Sequence, residues 1–543
     1  MVKEGFRELF DYQYYPYSSQ RRVVFAKNGM VATSQSLAAQ AGLAILREGG
    51  NAIDAAVATA ACLTVVEPTS NGIGGDAFAL IWNQDKLYGL NASGAAPKAI
   101  SAELLRKEGY QKIPNFGWIP VTVPGAPAAW IELSRKFGCL PFRKVLSPAI
   151  EYAQQGFPVS PVVSSLWKKA YQTYSNCRKE GEIFQYWLET FSPGNHTPEP
   201  GELWRLPEQA ETLQKIANSE TESFYRGEIA EKIDTFSRKY NGYLRKEDLA
   251  LFVPEWVNPV SIDYRGYDVW EIPPNSQGLV AQMALNILKG FNFSTREEPE
   301  TFHHQIEAIK LAFIDGANYM TDPSEMSVKI EDLLSTRYAF QRRKLITDKA
   351  IDPYSLKPLG SDTVYLATAD SQGNMVSYIQ SNYLGFGSGI VIPGTGISLQ
   401  NRGANFSLEP SQANYLKPRK KTYHTIIPGF LSKDNKAIGP FGVMGGLMQP
   451  QGHVQVIMNM IDFRLNPQAA LDAPRWQWVE GKKVKVEQNF PKHIAEVLER
   501  KGHIIEIALD ASGFGRGQII LRDRKGVLLG ATEPRADGVV AAW

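Results

Sequence analysis

The stretch Thr363-Val-Tyr-Leu-Ala-Thr-Ala-Asp-Ser-Gln-Gly-Asn-Met-Val-Ser-Tyr-Ile-Gln-Ser381 decides how this chain is read. Val364 to Ala369 and Met375 to Ser381 are rich in β-branched and aromatic residues. Asp370-Ser-Gln-Gly-Asn374 between them is polar and carries a glycine. That pattern predicts a β-hairpin with a polar turn. Its first strand opens on a threonine that directly follows a small polar segment.

A threonine in that place has a specific chemical use. If the Asp362–Thr363 peptide bond is cut, Thr363 gains a free α-amine beside its own hydroxyl. Such an amine has an unperturbed pKa of roughly 7.7–8.0, so much of it acts as a base near neutrality. It takes the hydroxyl proton, and the oxygen attacks an amide carbonyl. Threonine at a strand start is common, so this position alone decides nothing. The chemistry also needs donors for the oxyanion. Phe441-Gly-Val-Met-Gly-Gly-Leu447 offers adjacent glycines, Gly445 and Gly446, whose backbone N–H groups can approach a developing negative charge. By itself it reads equally as a tight turn.

Working upstream, Leu37, Ala41, Ala44 and Ile45 recur at helical spacing, and Gly49-Gly50 stops that helix. Asn51 caps the next one, about Ala52 to Val65, with Asp54 in the capping-box position. The alanines of this second helix require a close-lying neighbour. Glu67-Pro-Thr-Ser-Asn-Gly-Ile-Gly-Gly-Asp76 leads into the strand-like Ala77 to Trp82. This loop precedes a strand rather than opening a helix and has no P-loop lysine, which argues against a nucleotide site. The middle, about 100 to 340, reads as predominantly helical, with helices at Ser147 to Gln155 and His303 to Met320 and a surface loop around Ser192 to Pro200. After 362 the texture turns to strands, with further ones expected near Val454 to Met458, Lys483 to Glu487 and Gly517 to Leu521.

The chain has 543 residues, of which 43% are hydrophobic and 21% charged, the composition of an ordinary globular protein. A net charge of +2 argues against a nucleic-acid partner, and Lys417-Pro-Arg-Lys-Lys421 reads as a solvated loop. Cys62, Cys139 and Cys177 are too far apart for a disulfide framework or a metal site, so neither metal nor cofactor is expected. Met1 to Phe10 mixes charges and lacks the apolar core of a signal peptide. No segment approaches ~18 uninterrupted apolar residues, so no membrane helix is expected and cytoplasmic location is the default.

From Thr363 onward the chain resembles the small subunit of gamma-glutamyltranspeptidases. Thr363 through Ala369-Asp370-Ser-Gln-Gly-Asn-Met-Val376 meets the family's opening pattern. Phe386-Gly-Ser-Gly-Ile390, Asn405-Phe-Ser407, Gly445-Gly446, Asp472-Ala-Pro-Arg-Trp476 and Glu533-Pro-Arg535 follow in family order. Upstream, Gly49 to Ala56, Val66-Glu-Pro68, Gly72-Ile-Gly-Gly75 and Val123-Pro-Gly125 resemble the large subunit. Leu146-Ser-Pro-Ala149, Tyr264-Arg-Gly-Tyr267 and Glu307-Ala-Ile-Lys-Leu-Ala-Phe313 do so too.

The resemblance implies an α+β fold, the four-layer αββα sandwich of N-terminal-nucleophile hydrolases. It implies a precursor that cuts itself between Asp362 and Thr363 into a large subunit, 1–362, and a small subunit, 363–543, which together form one folded unit. Thr363 is then the nucleophile, Gly445 and Gly446 the oxyanion donors, and Ser381 stands where the family has a threonine bonded to the nucleophile. The implied substrates are a small amide or γ-glutamyl donor with water or an amine as acceptor, and no nucleic acid or membrane.

The substrate pocket departs from the family. The family arginine for the donor α-carboxylate falls at Ser93, and the acid for its α-ammonium at Asn405. The pocket asparagine falls at Tyr383, a neighbouring glutamine at Arg402, and two carboxylate-binding serines at His424 and Thr425. His424 reads either as a substrate ligand or as a structural histidine. Arg402 is expected to grip a lone carboxylate, unless it points to solvent. Phe406 to His424 is also too short for the lid loop of some members. Gamma-glutamyl transfer or glutathione hydrolysis is therefore the family expectation. An acylase of glutaryl or cephalosporin type is the alternative, and a non-catalytic binding protein on the same fold is a rival of another class.

Overall fold

The hairpin forms as read: Asp362–Asp370 runs antiparallel to Met375–Tyr383 around the polar turn. The structure, a computed structural model, describes residues 20–353 and 362–543. Met1 to Phe10 lies outside the described residues. The hairpin sits at the centre of a seven-stranded sheet ordered Val539–Ala542, Gly29–Thr33, Asp362–Asp370, Met375–Tyr383, Asp76–Asn83, Lys86–Ala92 and Glu255–Val257. Strands from before and after residue 362 are interleaved here, so both parts of the chain share one sheet. A second seven-stranded sheet runs Val24–Ala26, Leu528–Thr532, Arg516–Arg522, Lys436–Met444, Gly429–Lys433, Tyr267–Glu271 and Val260–Tyr264.

The two-residue period of a strand assigns the layers. Tyr365, Ala367 and Ala369 face the second sheet, where they share a core with Phe430, Met444 and Ile520. Val364 and Leu366 face the other way, into the core built on the Ala52–Val66 helix. That helix is buried along its whole length and capped by Asn51 and Asp54 as expected. Its neighbour, Ser36–Arg47, approaches so closely that a Cβ at Gly42 would stand 2.2 Å from Thr59 Oγ1. On the far side, Gly278–Leu288, Pro299–Tyr319 and Met448–Ile461 cover the second sheet. The result is helix, sheet, sheet, helix: the αββα sandwich of N-terminal-nucleophile hydrolases.

Two expectations need correction. Val454 to Met458 is not a strand but the middle of the Met448–Ile461 helix. This helix is buried on nearly every side, so no amphipathic stripe marks its period. Its amides are satisfied by backbone, as when Gln451 and Gln455 donate to the carbonyls of Trp478 and Trp476 at 3.2 and 3.0 Å. The helical middle also contributes the strands Glu255–Val257, Val260–Tyr264 and Tyr267–Glu271, the first two at sheet edges. The last two are joined through Arg265 and Gly266, both at positive φ, the backbone of a tight hairpin. Among the described residues no helix is long and apolar enough to cross a membrane.

Candidate active site

Thr363 and Ser381 lie on the two strands of the central hairpin and both are fully buried. The Thr363 hydroxyl donates to Ser381 Oγ at 3.2 Å. Ser381 Oγ also accepts the Tyr383 N–H at 2.8 Å and Arg402 Nη2 at 3.2 Å. Tyr383 closes the strand at φ +81°, a conformation costly for a bulky residue and common at functional sites.

From Arg402 the bonding continues. Its Nη1 donates to Thr425 Oγ1 at 2.6 Å, and its guanidinium lies over the Tyr383 ring at 4.5 Å. Gln277 then links the far side: its Nε2 donates to the carbonyls of both Thr425 and Gly446, the latter at 2.9 Å. A continuous run of hydrogen bonds therefore joins Thr363 to Gly446. Gly445 and Gly446 have φ of +131° and +58° and lead into the Met448–Ile461 helix, whose N-terminal end favours negative charge.

The Arg402 charge is balanced from below. Asp76, fully buried, takes hydrogen bonds from Gln400 Nε2 at 2.8 Å and the Gly94 N–H at 3.2 Å. Its other oxygen meets His424 Nε2 at 3.1 Å. Burial pushes the Asp76 carboxyl up to about 7, with the Arg402 charge opposing. Burial likewise brings Arg402 down to about 10 and His424 well below the usual imidazole range. His424 is thus neutral. The Ile426 N–H points at its Nδ1, so the proton sits on Nε2 and goes to Asp76. Both ring nitrogens are engaged within the protein, which fits the structural reading of this histidine.

A cavity of about 210 Å³ abuts this network. Tyr383, Asn405 and Thr425 line it, with Phe313, Tyr423 and Trp478 among the remaining wall. Ser93 is placed elsewhere: it is buried, with its Oγ donating to Asn91 Oδ1 at 2.7 Å and accepting from Asn275 Nδ2 at 3.2 Å. Arg402 also departs from expectation. It points neither to solvent nor into the cavity, because Tyr383 and Thr425 form the wall in front of it. A second hollow of about 550 Å³, bordered by Gly445, Leu384, Tyr174, Lys169 and Lys485, lies on the other side of Leu447, which lines both.

Fold and site together define an N-terminal-nucleophile type of amide-bond enzyme. The gamma-glutamyltranspeptidase family model matches residues 38–543, and the chain belongs to that family. It is 38% identical to the glutathione hydrolase-like YwrD proenzyme of Bacillus subtilis, over 95% of this chain and 98% of the relative. To the oxamate amidohydrolase proenzyme of Klebsiella pneumoniae it is 33% identical, over 95% and 98%. The crystal structure of cephalosporin acylase from Bacillus halodurans superposes with a TM-score of 0.95 at 61% identity, covering 98% of this chain and 99% of that one.

Asp76 and Gln277 were not singled out as site residues from the sequence. Asp76 was visible only as the end of the glycine loop, and its partner His424 is 348 residues away. Phe313 was visible as the last residue of a family motif, with nothing local to show that it walls a cavity.

Proposed function

We propose that this protein is a self-processing amide hydrolase and acyltransferase with Thr363 as nucleophile, Ser381 as its hydroxyl partner and the Gly445 and Gly446 N–H groups as oxyanion donors. The hydrogen-bonded run from Thr363 through Ser381, Arg402, Thr425 and Gln277 to Gly446 carries this reading. In maturation the Thr363 oxygen adds to the Asp362 carbonyl carbon, and the C–N bond breaks. The Thr363 hydroxyl proton passes to the departing nitrogen, which becomes the new α-amine, and water hydrolyses the resulting ester. The pieces are 1–362 and 363–543, held together by their shared sheet. In turnover the amine takes the hydroxyl proton, the acyl group moves to Thr363, the leaving amine departs protonated, and water or another amine accepts the acyl group.

The pocket favours a donor amide other than a γ-glutamyl one. Ser93 and Asn405 supply neither the cation nor the anion that a γ-glutamyl α-carboxylate and α-ammonium require. The names of several relatives favour a second reading, γ-glutamyl transfer or glutathione hydrolysis. Intact mass and N-terminal sequencing of the purified protein, alongside Thr363→Ala, test the nucleophile. Release of γ-glutamyl and non-glutamyl anilides by the matured protein separates the two readings.

A further inference from the structure

We infer that the acyl group this site accepts is uncharged and aromatic, of one-ring size, as in amides of arylacetic acids. The inference rests on the acyl-enzyme reading above and concerns only what the cavity admits. Four rings stand among its thirteen lining residues, and six of the others are uncharged polar side chains. Phe313 and Trp478 stand with centroids 5.8 Å apart at a 40° tilt, and Tyr383 and Tyr423 complete the aromatic surround. Among the described residues lining it none carries a charge.

Size agrees with a single ring. A cavity of about 150 Å³ lined by apolar side chains holds a benzene molecule. The 210 Å³ here is larger by less than a second ring would need. The polar groups at the wall are partly occupied by the protein itself. Tyr423 OH donates to Gln277 Oε1 at 3.0 Å, Asn405 Nδ2 to the Tyr423 carbonyl at 3.2 Å, and Thr425 Oγ1 accepts from Arg402.

Arg402 is not offered to this cavity. Arg402 Nη2 and Nη1 donate to Ser381 and Thr425, its guanidinium is covered by the Tyr383 ring, and it has Asp76 as an electrostatic partner. A terminal carboxylate in the cavity would therefore lose its water without gaining a partner, whereas a ring gains four aromatic neighbours.

The test uses full-length protein whose self-cleavage has been checked by mass, with phenylacetyl, glutaryl and γ-glutamyl p-nitroanilides. The leaving group is then constant and only the acyl part varies. The phenylacetyl compound is expected to show the highest kcat/KM, by roughly tenfold or more, the scale of discrimination against an unpaired buried charge. Trp478→Ala should remove most of that advantage. Asn405→Asp, at a half-buried position less critical for folding, should do the same by placing a carboxylate in the wall. Faster turnover of the glutaryl or γ-glutamyl compound by wild type overturns the inference while leaving the acyl-enzyme reading intact. A cleaved protein that turns over none of the three overturns both.

Discussion

Two of the clusters of buried charge among the described residues serve different ends. One is Asp76, Arg402 and His424 beside Thr363. The other is Glu307 and Lys310 on the Pro299–Tyr319 helix with His303 and His503. In the second, Lys310 Nζ donates to Glu307 Oε1 at 2.8 Å and to the Ile351 carbonyl at 3.0 Å. Glu307 Oε2 accepts the Ile351 N–H at 2.8 Å, and His303 Nε2 donates to the Thr347 carbonyl at 2.7 Å. His303 Nδ1 meets His503 Nε2 at 2.8 Å.

His303, Glu307 and His503 come close enough together to suggest a metal site. Lys310 already supplies the cation at Glu307, and burial holds both imidazoles below their usual range, in the neutral form. The donors and acceptors of this cluster clamp the main chain at 347–351. Those around Arg402 reach instead the hydroxyls of Ser381 and Thr425, next to a residue at positive φ and a cavity. Buried charge alone does not mark a site. What the charge is bonded to does.

Substitutions break the comparison in order of expected effect. Gly446→Val places a β-branched side chain at φ +58° beside the proposed oxyanion donors. It should lower kcat by ~10² or more while the protein stays soluble. Steady-state kinetics on processed protein check this, and near-normal turnover would remove Gly446 from the chemistry. Glu307→Ala leaves Lys310 buried without its carboxylate and should cost about 3–5 kcal/mol of stability. Urea unfolding reads that loss, and kcat/KM per folded molecule should hold. A folded Glu307→Ala protein with collapsed turnover would show that the clamp belongs to the catalytic apparatus after all.

Arg402→Met removes a charged donor from Ser381 and should reduce kcat by about tenfold with little change in KM, the usual weight of one such bond. A rise in KM confined to donors bearing a carboxylate would put the guanidinium back in the pocket.

The smallest effect is on the pH dependence of stability. Asp76 is held protonated up to about 7, against 3.8 for the ordinary group, by burial opposed by Arg402. The folded state thus binds this proton more tightly than the unfolded chain. Its contribution to stability is complete below 3.8 and is lost as pH rises through about 7. Glu67, raised to about 7 by burial with Arg516 opposing, acts in the same direction. The melting temperature should fall across that window, and Asp76→Asn should flatten part of the fall. An unchanged slope in Asp76→Asn would mean Asp76 is already ionised in the fold.

Much of the architecture was legible because it is written locally. The hairpin at 363–381, the Asn51 cap and the alanine helix follow from residue type and period within a dozen positions. The helix at Met448–Ile461 was misread because a segment buried on all sides loses its stripe. Thr363, Ser381, Gly445 and Gly446 stand out through motif and family resemblance, and in the fold Thr363, Ser381 and Gly446 lie along one hydrogen-bonded run with Gly445 beside it. Asp76 as an electrostatic partner of Arg402 could not be found that way. It starts the strand next to Ser381, with Ser381 as its register partner, and only sheet pairing across 305 positions of chain reveals it.

The central claim is that Thr363 becomes an N-terminal nucleophile, and intact-mass analysis with N-terminal sequencing of purified wild type and Thr363→Ala tests it most directly. The account predicts two wild-type pieces, 1–362 and 363–543, the second beginning Thr-Val-Tyr-Leu, and a single full-length inactive chain for Thr363→Ala. A wild-type chain that stays whole while hydrolysing amides, or a Thr363→Ala protein that still cleaves at this bond, would contradict it.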